Sequence, residues 1–338
     1  MKKNYILLRR LLLLVIVGIC TTFAQAQTSI SDAAGLAAIA NDLSGSYVLT
    51  TDITLTSTWT PIGTFTGTLD GGGHIIYGLK VNDSGTAERG LFSQTNGATI
   101  RNLGIENANI VGNERTGAIV GLMIGGLIEK CYVANSYIEG RDHVGSIGGQ
   151  IKGGAIIQNC YSTANIYSRE YQAGGLVGVI NEDNTKISKS YFSGIVRCAA
   201  NSRPAGILAW RDNGTNTVEY CVNLAPYILG NDNLRVVGND GVTLTENYSL
   251  ANCKLSSDIN NYNGSTVPTA DGNYGAGKRH GANIPGGDAN ALTSDFYATT
   301  LGWDFTEGTG VWKMLGAGYP VLQWQSAPVN SSALRLAS

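Results

Sequence analysis

A small, glycine-rich apolar block recurs five times between Arg89 and Ala209: RGLFS at 89–93, GAIVG at 117–121, GSIGG at 145–149, GGLVG at 174–178 and AGILA at 205–209. The block starts lie 28, 28, 29 and 31 residues apart, and a short apolar strand with a Cys-Tyr-like pair follows each block about ten residues on. Self-similarity at that period marks a solenoid, in which each unit buries its apolar face only by stacking on its neighbours. The unit GAIVGLMIGGLIEKCYVANSYIEGRDHV divides into three short strands, GAIVG with Ile119 inward, LIEKCYVA and NSYIEG. Three strands and three turns per unit predict an all-β fold, a parallel β-helix. A stacked rod is a surface, and surfaces bind more often than they catalyse.

The flanks of the repeat fit one elongated domain over 27–325. Residues 1–26 read as a cleaved signal peptide, with basic Lys2, Lys3, Arg9 and Arg10, an apolar core from Leu11 to Ile19, and Ala24-Gln25-Ala26 as the cleavage site. Cys20 is a poor lipidation site because bulky Ile19 precedes it. Ser29 to Leu43 reads as a short amphipathic helix within an N-terminal cap over 27–45, with Ser31 or Asp32 as its N-cap and Leu36, Ile39, Ala40 and Leu43 as its stripe. Rungs are expected over 46–253, a long Asn/Gly/Asp/Ser-rich loop over 254–294, an aromatic C-terminal cap over 295–325 and a loose tail over 326–338.

Composition excludes several partners. The leader removes four of the 23 basic residues and none of the 25 acidic ones, taking the net charge from −2 to −6. No long basic run remains, so nucleic acid is not expected as a partner. No further transmembrane segment follows the leader. The 45 glycines argue against a helical fold and suit a chain that turns every few residues.

Two columns run through the repeat register. Cys131, Cys160, Ser190 and Cys221 share one position. Adjacent rungs are ~4.8 Å apart, which permits a Cys131–Cys160 disulfide. Ser190 in the same slot favours simple space filling, and the two readings stay open. The next column, Leu103, Tyr132, Tyr161, Tyr191 and Val222, reads as inward or half-inward packing, with a carbohydrate-binding aromatic ladder as its alternative. No Cys-x-x-Cys or His-rich spacing is present, so no metal site and no cofactor are expected.

The block Gly-Gly-Leu-Val-Gly at 174–178, with its variants at 89, 117, 145 and 205, resembles the GLUG-motif repeat proteins. The segments at 47–81 and 97–110 and the closing GYPVLQ at 318–323 are similar to that family too, so the resemblance covers roughly residues 30–325. It implies a right-handed β-helix, secreted or held on a bacterial surface, and it implies no single activity. Similar repeats accompany bacterial immunoglobulin A metalloproteases, whose zinc site needs His-Glu-x-x-His. The histidines here are His74, His143 and His280, none in that setting, so the protease reading fails.

Chemistry could reside in two places. Asp70-Gly-Gly-Gly-His74 lacks a following helix and reads as a tight turn between rungs, with His74 in a local hydrogen bond. The turns before each block are the better candidate: NERT (113–116), GRDHV (140–144), SREYQ (168–172) and NSRP (201–204). Stacking sets adjacent carboxylates among Glu114, Asp142 and Glu170 ~5 Å apart and next-nearest ones ~10 Å, with Arg115, Arg141, Arg169 and Arg203 among them, a range that brackets glycosidase carboxylate spacings. His143 and Tyr171 add acid–base or sugar-contact groups. The bland reading is a charge-alternating ladder that keeps stacked turns soluble.

Three functions follow in order. The first is adhesin-like binding of a glycan or of a host or matrix protein, without catalysis, through Glu114, Arg115, Arg141, Asp142, His143, Arg169, Glu170, Tyr171 and Arg203. The second is a carbohydrate-active lyase or hydrolase using the stacked carboxylates, since fold alone excludes neither. The third is a spacer rod.

Overall fold

The protein is described as a computed structural model covering residues 27–199, 203–267 and 270–327. The leader over 1–26 and most of the expected tail lie outside these residues. The five blocks stack in register: Phe92, Val120, Gly148, Val177 and Leu208 are successive parallel partners. The third residue of every block, Leu91, Ile119, Ile147, Leu176 and Ile207, is fully buried. The fold is a right-handed parallel β-helix, one of whose strand columns has seven members, from Lys80–Asn82 to Lys254–Ser256.

The three central rungs, starting at Val120, Gly148 and Val177, each contain five short strands rather than the three expected. The first of them runs Val120–Ile124, Leu127–Glu129, Tyr132–Ala134, Tyr137–Gly140 and Asp142–Val144. The expected strands are broken by single residues with positive φ. Lys130 and Asn135, at φ 52° and 51°, kink the chain without a glycine, and Asn102, Asn159 and Lys189 repeat the Lys130 corner. Asparagine tolerates this region better than most side chains. Inside the rod, Ile100, Ile128, Ile157, Ile187 and Val218 form an unbroken stack of paired, buried residues. β-branched side chains suit such a column because their stiff rotamers pack like on like.

The ends differ from expectation. Thr28–Ile30 is a strand paired with Tyr47–Leu49, so the expected helix starts later, at Ala33–Ala38, followed by a 3₁₀ turn at Ile39–Asn41. Asp32 is the N-cap, its Oδ1 accepting from Gly35 N at 2.7 Å, and Leu36 and Ile39 are buried while Ala40 is exposed. At the other end the expected long loop supplies rung strands: Lys254–Ser256 pairs with Tyr227–Leu229, and Ala282–Asn283 with Tyr248–Ser249. Fully buried Arg235 ties this closing segment together, donating to the carbonyls of His280, Leu250 and Gly281 and to Asn283 Oδ1. A buried guanidinium needs such partners, since five donors leave water at once.

Residues 296–325 do not cap the rod end. They form a strap along one side face, containing a short helix at Phe296–Thr300 and an antiparallel pair of Trp312–Lys313 with Val321–Leu322. Beneath it lies the tyrosine column. Tyr132, Tyr161 and Tyr191 stack with centroids 5.0 and 4.8 Å apart and interplanar angles of 4° and 8°. The residue opposite Tyr132 is Gly104, not Leu103, which falls in the cysteine column instead. The strap covers the ladder: Trp312 lies 6.3 Å from Tyr161 and 6.0 Å from Tyr191, and Trp324 lies 5.5 Å from Tyr132. Tyr191 Oη donates to Pro320 O at 2.7 Å, and Tyr161 Oη bonds the Gln325 side chain. The column is therefore packing.

Cys131 and Cys160 are free, buried thiols. Each donates to the carbonyl two residues earlier, Glu129 O and Gln158 O, both at 3.2 Å. Burial pushes the Cys131 thiol well above its ordinary range. The Asp70 to His74 segment is a bulge inside the strand Thr68–Tyr77, not a turn between rungs. Burial pushes Asp70 up, but hydrogen bonds from Asn102, Gly72 and Arg101 outweigh it and hold its carboxyl below the ordinary value. His74 Nδ1 lies 3.2 Å from Asp52 Oδ1, a partner 22 residues earlier in the chain rather than the local one expected.

Candidate functional site

The charged turns form their own column: Glu114–Thr116, Asp142–Val144, Gln172–Gly174 and Arg203–Ala205 pair in parallel. The block glycines make this column possible. A Cβ on Gly149 would lie 2.3 Å from Arg115 C, and one on Gly178 would lie 2.4 Å from His143 C. Arg115 and His143 take φ of 55° and 52°, turning the chain sharply against those glycines. The same repeat glycine thus shapes the core block and brings the charged turn close.

The structure brings part of the predicted set into one network. Arg115 Nε lies 3.2 Å from Glu88 and its NH1 3.9 Å from Glu114. Arg141 pairs with Glu114 through NH2, with Glu170 at 3.4 Å through NH1, and donates to Asn113 Oδ1 at 3.0 Å through Nε. Glu88, Arg115, Glu114, Arg141 and Glu170 therefore alternate in sign along the rod. Such partly exposed pairs contribute about 0–1 kcal/mol each and mainly hold stacked turns in register.

Other predicted residues stand apart from this chain. Arg169 turns to the neighbouring column, meeting Glu139 at 2.6 Å and Gly112 O at 2.8 Å. Asp142, with its side chain 14% exposed, accepts backbone N–H groups from His143 at 2.7 Å and Gln172 at 3.2 Å, which makes it a turn clamp. His143 Nε2 faces the same carboxylate at 3.6 Å, while its buried Nδ1 has no partner. Tyr171 is exposed at 39%.

The expected three-carboxylate ladder does not form. Glu114 pairs with Asp142, but Gly140 pairs with Ser168 and Val144 with Ala173, so the next turn holds one extra residue. The insertion is what lengthens that repeat, and it moves Glu170 out of register with Asp142. Glu114 and Glu170 instead meet at the Arg141 guanidinium.

At its downstream end the strip opens into concave ground. The Arg203 guanidinium lies 3.9 Å over the Trp210 ring. A cleft of about 390 Å³ is lined by Arg203, Trp210, Asp232, Asn233, Asp240 and Arg279 among others, with Arg279 and Asp240 paired at 3.2 Å. A second, more open cleft of about 800 Å³ shares Arg203 and is walled by Gly230, Ser256 and Ser265. Sequence reasoning found Arg203 but missed Trp210 and the 232–240 loop. Trp210 directly follows the last block, and its outward alternation from buried Ala209 was the available signal. Among the described residues no group of three or more His, Cys, Asp or Glu is placed to hold a metal ion, and no helix is long and apolar enough to cross a membrane.

These features define an all-β solenoid with an open, polar cleft at one end of its charged strip. No family model matches the chain. A crystal structure described as a putative immunoglobulin A1 protease from Bacteroides ovatus superposes with a TM-score of 0.71, covering 89% of this chain and 94% of that one at 21% identity. At that identity the likeness carries the fold. Halomucin from Haloquadratum walsbyi is 29% identical over 157 residues, which span 46% of this chain and 1% of halomucin.

Proposed function

We propose that this is an exported, GLUG-like β-helix protein that binds an extracellular glycan, adhesin-like, at the downstream end of its charged strip. The cleft formed by Arg203, Trp210, Asp232, Asn233, Asp240 and Arg279 carries this reading. It combines an aromatic side chain with fixed donors and acceptors, the combination that saccharide hydroxyls and C–H faces require. Binding is favoured over turnover because Glu114 and Glu170 share the Arg141 guanidinium and Asp142 is committed to backbone N–H groups of its own turn. Export rests on the leader pattern, and the likeness to a protein named a mucin agrees with it.

The test is binding of purified residues 27–338 to an array of polysaccharides, mucins and matrix proteins, with each spot checked for released products. A saturable glycan signal without release, lost on Trp210→Ala or Arg203→Ala, is the expected result. Released product would give the carbohydrate-active reading first place, and a hit confined to matrix proteins would replace the glycan with a protein ligand.

A further inference from the structure

The tyrosine ladder ends in a third cleft, on a different face from the charged turns and toward the opposite end of the rod. Above Tyr132 the ladder position passes to Gly104 and then to Ile75, with no aromatic ring. Here Trp324 to Ala327 form one wall of a cleft of about 520 Å³. The opposing surface carries Asp52, His74, Tyr77, Glu106 and Tyr132. That volume falls within the ~300–1,000 Å³ usual for small-ligand sites.

The cleft's electrostatics are one-sided. Asp52 and Glu106 are its carboxylates, and among the described residues its lining includes no Lys or Arg. Arg101, on the neighbouring strand segment, is engaged by Asp70 at 2.9 Å. Both carboxylates keep an oxygen for a ligand. Asp52 uses Oδ1 alone to accept from Ile75 N at 3.0 Å and to face His74 Nδ1 at 3.2 Å. Glu106 uses Oε1 to accept from Tyr132 Oη at 2.6 Å. Tyr77 pairs with Glu106 across the rungs. Its phenol is held above the ordinary value by burial, then by the charges of Glu106 and Asp52, so both carboxylates act on one hydroxyl.

The aromatic wall is fixed. Trp324 is half-buried, its ring 5.5 Å from Tyr132 and its indole N–H donating to Lys130 O at 3.4 Å. The glycine bulge permits its approach, since a Cβ on Gly73 would meet Trp324 Cβ at 3.4 Å. Carboxylates with no lysine or arginine among the described lining residues, beside aromatic rings, form an environment that favours an organic cation. Asn135 and Ser326 add neutral polar groups to the lining, which serve hydroxyls and would be idle against an aliphatic lysine side chain.

We propose that this cleft binds a protonated amino sugar, with its ammonium between Asp52 and Glu106 and its ring against Trp324. This site is independent of the Arg203 and Trp210 cleft, and each reading can fail without the other.

The experiment is calorimetric titration of residues 27–338 with a glucosamine tetrasaccharide and, separately, with its fully N-acetylated counterpart, which is neutral. The amine form is expected to bind at least about tenfold more tightly, a preference that shrinks as salt is raised. Asp52→Asn and Glu106→Gln are each expected to weaken the amine form about tenfold or more, and the double variant to abolish its binding. Two separate variants guard against a folding defect in either, and a thermal melt confirms each is folded. Equal binding of the neutral oligomer, survival of amine binding in the folded double variant, or no binding of the amine form would each overturn the proposal. Equally tight binding of a lysine-rich peptide would also overturn it, in favour of a protein ligand.

Discussion

The tyrosine face and the charged-turn face are built by the same device, one residue type repeated at rung spacing, yet they come to opposite ends. Tyr132, Tyr161 and Tyr191 are almost wholly buried, because a strap from more than a hundred residues away lies across them. Arg115, Glu114, Arg141 and Glu170 remain at the surface, the last with its side chain 44% exposed. Stacked rings bury apolar area, and each hydroxyl then needs a partner, which the strap and Glu106 provide. Stacked charges need alternating sign and solvent, and the rod supplies both. Regular stacking creates ladders; what covers a ladder determines whether it acts as core or surface.

The comparison can be broken most severely by removing the strap. Truncation after Ser294 should expose the three stacked tyrosines and produce a large fall in melting temperature with dye-detectable apolar surface, while leaving the cross-rung ion pairs intact. A truncated chain that melts as the full one does would show that the strap is not structural. Next in size, Tyr161→Ala should cost about 3–5 kcal/mol in urea denaturation, as expected for a buried aromatic. Tyr161→Phe should cost about 1 kcal/mol by leaving Gln325 Nε2 without its partner.

Gly178→Ala tests the link between the two faces and the core. Its Cβ would lie 2.4 Å from His143 C, and backbone there has little room to give. We expect a loss of about 1–3 kcal/mol together with disturbance of the charged turn, measurable by hydrogen exchange at 142–144.

The closing segment should respond to acid. Burial, then the Arg235 charge, lowers His280 to about 4 from an ordinary 6.5. The unfolded chain therefore binds a proton that the folded chain refuses. The stabilisation is fully present above pH 6.5 and is lost as pH falls from there through about 4. His280→Gln should flatten the melting temperature across that window. The smallest effect belongs to the exposed network: Arg141→Met should cost less than about 1 kcal/mol.

Much of the fold was legible because β-helix stacking is a local rule repeated. Spacing alone aligned Phe92 through Leu208, put Leu91 through Ile207 inside and identified the cysteine and tyrosine columns. The one-residue error at Leu103 arose because Leu103 and Gly104 fit the apolar pattern equally well. The five-strand rung was missed because Lys130 and Asn135 adopt positive φ without a glycine to mark the corner. Arg203 was legible as a charged turn residue, whereas the cleft around it needs Asp232, Asn233 and Arg279, which no repeat relates to it. Asp52, His74, Glu106 and Trp324 are likewise scattered, and His74 by itself pointed only to a local bond.

The sequence by itself determined the solenoid, its period, its inner stacks and the sign alternation of its turns, since each follows from what sits one repeat away. Tertiary structure decided that an aromatic tail becomes a side strap, that one extra turn residue dissolves the carboxylate ladder, and that separate clefts arise. Those outcomes depend on contacts such as Tyr161 to Gln325 and Asp52 to His74, where no periodic signal links the partners and only packing brings them together.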